Sequence, residues 1–178
     1  TIQTITQKLR TGGKHMNIKI IGSGSYLPDN VINNAYFEEH VFLDETGEPI
    51  KHPETIIGKF KDITGIAERR YANENQVASD LAFIAAEQAV ENAGVDQETL
   101  DYIIVAHNYG DVPYGTIQSD TVPSLATRVK KKLGIRNPRC IAYDLLFGCP
   151  GWNEGMIQAN AFIKSVPDRY KTLLDCNN

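Results

Sequence analysis

At residues 147–152 the chain reads "FGCPGW". A thiol between two glycines, behind an apolar run and ahead of a helix-like stretch, has the surroundings of a nucleophile. Backbone N–H groups in the first turn of a helix lack intrahelical partners, and the helix dipole favours negative charge there. A cysteine in that field holds a larger thiolate fraction. Gly148 permits a tight turn, Pro150 suits a first helical turn where a missing N–H costs little, and Gly151 leaves room for a substrate to approach the sulfur. The chemistry would be covalent: Cys149 takes up an acyl group as a thioester, with its own amide as an oxyanion donor. From these residues alone, a buried structural thiol is an equal reading.

The elements around this corner alternate. "IKIIG" (18–22) reads as a buried strand ending in the loop "SGSYLP". Its glycines lack the third member and the directly following helix of a dinucleotide loop. Residues 33–60 read as a short helix, "NNAYFEEHVF", and a turn-rich surface excursion. "ASDLAFIAAEQAVENAG" (78–94) is the clearest helix, with Leu81, Ile84, Ala85 and Ala89 on one face, Ser79 as cap and Gly94 as terminator. "DYIIVAH" (101–107) is a second buried strand. "SLATRVKKKLG" is a helix with Leu125, Val129 and Leu133 inward and its lysines on a solvated face. "RCIAYDL" (139–145) is a third strand. After Cys149, Met156, Ala159 and Ile163 recur at helical spacing, with Trp152 one turn earlier. Strands alternating with helices predict an α/β layered domain.

Composition bounds the function. With 178 residues, 42% hydrophobic, one domain can bury a real core. A net charge of -4 gives no reason to expect nucleic acid or an anionic membrane as partner. No apolar run approaches the roughly 20 residues of a bilayer span. Cys140, Cys149 and Cys176 make an odd set without CxxC spacing, which suggests neither a disulfide framework nor a metal site and favours the cytoplasm. Residues 1–15 are polar and read as an appended or disordered leader ahead of Met16, or else as an extra N-terminal strand or arm.

Four segments, "IIGSGSYLP", "TGIAERR" (64–70), "LAFIAAEQAVENAGV" and "YDLLFGCPGWNEGMIQANAFIKS", stand in an order that resembles the N-terminal half of β-ketoacyl-acyl carrier protein synthase III, over residues 16–165. The resemblance implies a thiolase-like layered α/β fold with a mixed sheet flanked by helices. It also implies that Cys149 accepts an acyl group from acyl-coenzyme A or an acyl-carrier protein. Malonyl-acyl carrier protein then loses carbon dioxide, and its carbanion attacks the acyl-enzyme in fatty acid or polyketide-type biosynthesis. No permanently bound cofactor is implied; a homodimer is. Val122 would sit at the partner's acyl pocket, or serve only in packing where the helix after it starts. Trp152 would line the acyl channel beside Gly151, or belong to the plain core.

Several positions depart from the family pattern. The histidine and asparagine that stabilise the enolate belong, in the family, to the C-terminal half, and His15, His40, His52 and His107 match neither; His107, at a strand end, reads as a loop or dimer-contact residue, or as one that approaches a site. Lys59 and Ile63 stand where the family carries a tryptophan and an arginine for the coenzyme, and surface ion pairing accounts equally well for Arg69 and Arg70. The tail, 166–178, lacks the expected apolar strand. A one-base shift of reading frame, with permitted synonymous codons, would supply it, so the tail reads as frameshifted, Cys176 as accidental and the sheet edge as open. A half-domain that assembles with a partner chain and another thiolase-fold acyltransferase are the competing readings.

Overall fold

The structure, a computed structural model, describes residues 2–9, 17–165 and 171–177. Contacts divide the chain into two units, Thr1–Leu27 with Glu74–Asn178, and Pro28–Asn73.

The larger unit holds a five-stranded mixed sheet. Its strands are β1 (Ile2–Leu9), β2 (Asn17–Ser25), β5 (Tyr102–His107), β6 (Ile141–Leu146) and β7 (Lys171–Asn177), in the order β2-β1-β7-β5-β6. The smaller unit supplies β3 (Asn30–Asn33) and β4 (Glu68–Tyr71), an antiparallel pair. β5 runs parallel to both β6 and β7, whereas β1 is antiparallel to β2 and β7.

Successive residues of β5 serve opposite faces of the sheet. Ile103 and Val105 join the core beneath α2 (Ala78–Ala93) and α3 (Leu125–Lys132), with Ala86, Ala89, Leu125 and Val129. Ile104 meets Ala159 of α4 (Gly151–Ser165) on the other face, where Tyr143, Leu145, Met156 and Phe162 close around them. The continuous apolar run of β5 follows from burial on both sides.

β2 is longer than expected, and its glycines lie inside the strand. A Cβ on Gly22 would fall 2.6 Å from the Ala89 carbonyl oxygen, and one on Gly24 would fall 2.2 Å from that of Ala85. Both glycines therefore let α2 lie directly on the strand, which explains why "GSG" opens no nucleotide loop. Gln88 and Asn92 of α2 accept hydrogen bonds at 3.3 Å from the Ser25 and Ser23 amides, occupying donors on the outermost strand.

α2 ends at Gly94 in the left-handed region (φ 62), as its position predicts. Its start differs: Val77 is the cap residue, its amide donating to Asp80 Oδ2 at 2.9 Å, and Ser79 lies within the first turn. In α3, Ser124 caps as a serine should, accepting from the Thr127 amide at 3.2 Å. The lysine run is not simply solvated. Lys130 Nζ donates to the carbonyls of Asn137 and Cys140 at 2.9 and 2.7 Å, and Lys132 pairs with Asp80.

The ends of the chain both carry strands. Of the two readings of residues 1–15, leader or extra strand, Ile2–Leu9 takes the second as β1, which fits its β-branched Ile2, Thr4, Ile5 and Thr6; residues 10–16 lie outside the described residues. Lys171–Asn177, read as lacking a strand, is β7 and pairs on both sides, so the sheet is not left open there. Hydrogen bonding from two neighbours, which composition does not register, holds β7. The intervening tail residues 166–170 lie outside the described residues.

In the smaller unit, the expected short helix is a single 3₁₀ turn, Asn34–Phe37, and the turn-rich excursion leads into α1 (Pro53–Thr64). Phe37, Phe42 and Phe60 pack edge to face, and the Arg69 guanidinium lies 4.8 Å over the Phe37 ring.

Cys140, 3% exposed, precedes β6 in the core. Burial pushes its thiol up from 9.0 to about 11, Lys130 opposing and Asp101 and Glu98 adding to the shift. The folded chain thus holds this proton more tightly than the unfolded chain does. The resulting stabilisation is complete below about pH 9 and is lost as pH rises through about 11. Two units correspond to at most about 3 kcal/mol. Burial raises the Tyr143 phenol to about 12, with Tyr102 adding, so that group adds its own loss only above about pH 10. Urea unfolding between about pH 8 and pH 10 should show the decline, and Cys140→Ala should flatten it. An equal slope in the variant would refute the assignment.

Candidate active site

Cys149 sits in the turn joining β6 to α4 and is exposed. The Gly151 amide closes the turn onto the Gly148 carbonyl at 2.8 Å, and the Glu154 amide bonds the Pro150 carbonyl at 3.0 Å. Pro150 therefore caps the helix rather than occupying its first turn, and Cys149 lies just ahead of it. The thiol stands at the amino end of a fifteen-residue helix, where partial positive charge collects. The exposure removes the reading of Cys149 as a buried structural thiol, which Cys140 satisfies instead.

Gly151 has a different role from the one its position suggested. It is buried, and a Cβ there would fall 2.9 Å from Ala106 Cβ of β5. It brings α4 close to the sheet rather than opening space in front of the sulfur. Trp152 is half-buried, and its buried Nε1–H has no hydrogen-bond acceptor among the described residues. Val122 is 83% exposed, so it is not a packing residue of this chain at the start of α3.

Sequence reasoning missed two buried polar clusters. In the first, His107 at the end of β5 is 2% exposed. Its Nδ1 accepts from the Gly110 amide at 2.9 Å, and its Nε2 lies 2.9 Å from Asp144 Oδ2. Asp144, on β6, also accepts from the Leu125 and Ala126 amides at 2.7 and 2.8 Å, satisfying the start of α3. His107 is thus neither a loop residue nor an exposed contact. In the second cluster, Asp111 accepts from the Ser79 amide, the Ser79 hydroxyl and Arg128 Nη1, each at 2.7 Å. Arg128 Nη2 also reaches Asp120 at 2.8 Å and holds that carboxyl below its ordinary value. One signal was available: an aspartate and a histidine within apolar strands need buried partners.

The positions compared with coenzyme contacts show no binding cluster. Ile63 is 78% exposed. Arg69 donates to Asn34 Oδ1 at 2.9 Å and stacks on Phe37, so aromatic packing rather than surface ion pairing accounts for it. Arg70 approaches Glu68 at 4.0 Å. No group of described residues could hold a metal ion, and no described helix is long and apolar enough to cross a membrane.

The chain that carries this exposed thiol is similar to known proteins. A curated β-ketoacyl-[acyl-carrier-protein] synthase III from Staphylococcus haemolyticus is 38% identical over 159 residues, which cover 89% of this chain and 43% of that protein. The protein of the same name from Staphylococcus aureus is 36% identical over 150 residues, 84% of this chain and 41% of the relative. The chain is similar to the N-terminal part of β-ketoacyl-acyl carrier protein synthase III. It spans about two fifths of the length of these curated relatives. The crystal structure of the synthase III from Thermus thermophilus superposes with a TM-score of 0.56 at 34% identity, covering 80% of this chain and 37% of that one. The synthase III from Aquifex aeolicus gives 0.60 at 30%, covering 83% and 40%. The fold is accordingly thiolase-like α/β, as the motifs implied. No family model matches the chain.

Proposed function

We propose that Cys149 is the acyl acceptor of a synthase III-type condensing enzyme. The observation that carries this reading is the exposed thiol in the turn ahead of α4, in a segment similar to that family. The Cys149 thiolate attacks the carbonyl of an acyl-coenzyme A or acyl-carrier protein thioester. The carrier's thiolate leaves, and the acyl group remains as a thioester on Cys149. Amides of the turn are the candidate donors to the transient oxyanion. Malonyl-acyl carrier protein then loses carbon dioxide, its carbanion attacks the acyl carbonyl, and Cys149 leaves as thiolate with release of a 3-ketoacyl product. The electrophilic residues for decarboxylation belong, by the family pattern, to the C-terminal half. The step assigned to this chain's own residues is acylation.

Trp152 supplies an apolar wall next to the turn and Gly151 sets how deeply α4 seats. Val122, exposed with Tyr109, Tyr114 and Ile117 in the segment 108–123, faces a second copy in a homodimer and enters its acyl pocket. A nucleophilic thiol calls for a reducing compartment, and the cytoplasm supplies one.

Intact-protein mass spectrometry after incubation with acetyl-coenzyme A tests the acylation. The native chain should gain one acetyl group, and Cys149→Ser should gain none. Acetyl on Cys140 or Cys176, or equal labelling of the variant, would sink the reading.

A further inference from the structure

The sulfur of Cys149 is only as well placed as the end of β5. Two consecutive residues there support its turn. Ala106 meets the start of α4 at Gly151, and the His107 carbonyl accepts the Phe147 amide at 3.2 Å, two residues before Cys149. The orientation of residue 107 therefore fixes where the turn begins.

The His107 side chain is held at both edges. The Gly110 amide can only donate, so Nδ1 carries no proton; Nε2 then carries it and donates to Asp144. Asp144 is in turn held by two amides of α3. A neutral imidazole offers one donor and one acceptor at this spacing, so His107 joins β5, β6 and the segment after β5, and reaches α3 through Asp144.

We infer that His107, kept as the Nε2–H tautomer between Gly110 and Asp144, is a positioning residue for Cys149. It never touches the acyl group. It fixes the backbone from which the nucleophilic turn departs, and so sets how fast the thiol reacts. This rests on Cys149 being the acyl acceptor.

Two substitutions divide the contacts of His107. His107→Gln can retain a donor towards Asp144 and loses the acceptor for Gly110; His107→Asn does the reverse. Reaction of Cys149 with iodoacetamide, read by peptide mass spectrometry, should slow about tenfold in both, because a displaced turn moves the sulfur out of the favourable field at the amino end of α4. Unlabelled Cys140 reports that the molecules counted are folded. In acetyl-coenzyme A single turnovers, the maximal rate should fall by the same factor at an unchanged half-saturating concentration. Wild-type Cys149 rates per folded molecule in both variants would overturn the inference, since a purely structural role lowers stability alone. Nitrogen-15 NMR of the native chain is independent of variant folding: it should show protonated Nε2 and acceptor Nδ1 for His107, and the opposite tautomer would also overturn the inference. If acetyl transfer fails in the native chain while alkylation slows in the variants, the acyl-acceptor reading falls and the positioning role stands.

Discussion

Gly24→Ala is expected to leave the chain largely unfolded. The added methyl would lie 2.2 Å from the Ala85 carbonyl oxygen and 2.6 Å from the Ala89 amide nitrogen, both in the backbone of α2. No rotamer change relieves such a contact; α2 must lift from β2, and its row of small residues loses its bed. Ordinary overpacking costs about 1–3 kcal/mol. A clash against helix backbone should exceed about 4 kcal/mol, a large part of the about 5–15 kcal/mol that sustains a domain. Circular dichroism melts and urea titration read the loss directly. Gly58, in α1 with nothing within 4 Å of its would-be Cβ, is the contrasting position. There alanine should stabilise by about 0.5–1 kcal/mol. Native-like stability of Gly24→Ala would mean that α2 does not rest on β2 as described.

The second large effect is expected at Asp111. Its carboxylate, 3% exposed as a residue, takes three hydrogen bonds from Ser79 and Arg128, joining the first turn of α2 to α3 through the segment 108–123. Asp111→Ala strands the Ser79 donors and leaves Arg128 with the exposed Asp120 and the Pro123 carbonyl, without its buried carboxylate. Removing one member of a buried charged pair costs about 3–5 kcal/mol. Asp111→Asn, which keeps an acceptor for the Ser79 amide and loses the ion pair, should fall between the two. Urea midpoints order the three proteins. Limited proteolysis should cut within 108–123 far faster in Asp111→Ala, and unchanged cleavage would show that Asp111 does not secure that segment.

What could be read beforehand follows the range of the physics involved. α2 was visible because Ala85, Ala89 and Gly94 act within one helix, through periodicity and a left-handed terminator. The turn at Cys149 was visible for the same reason: glycine, proline and the following helix lie within a few residues. Asp111 was not, since its partners are 32 and 17 residues away and nothing local marks them. Gly24 was noticed but given a neutral role, because its meaning lies in a helix on the far side of a long insertion. Gly151 was misjudged in the same way: the neighbour that excludes a side chain is Ala106, on another strand. β7 is not legible in the sequence, and β1 only as the second of two readings, because each is polar in composition and takes its place by pairing with the other.

That pairing has a consequence for how the molecule is made. Ile2 lies opposite Cys176 and Gln7 opposite Lys171, so β1 waits for β7, a strand far along the chain. Until β7 leaves the ribosome, the β1–β2 pair and the β5–β6 pair are unjoined within the sheet, because β7 stands between them. Contacts so distant along the chain slow folding and prolong the exposure of unpaired edges. The nascent chain is therefore in need of chaperone protection in the interval before β7 emerges.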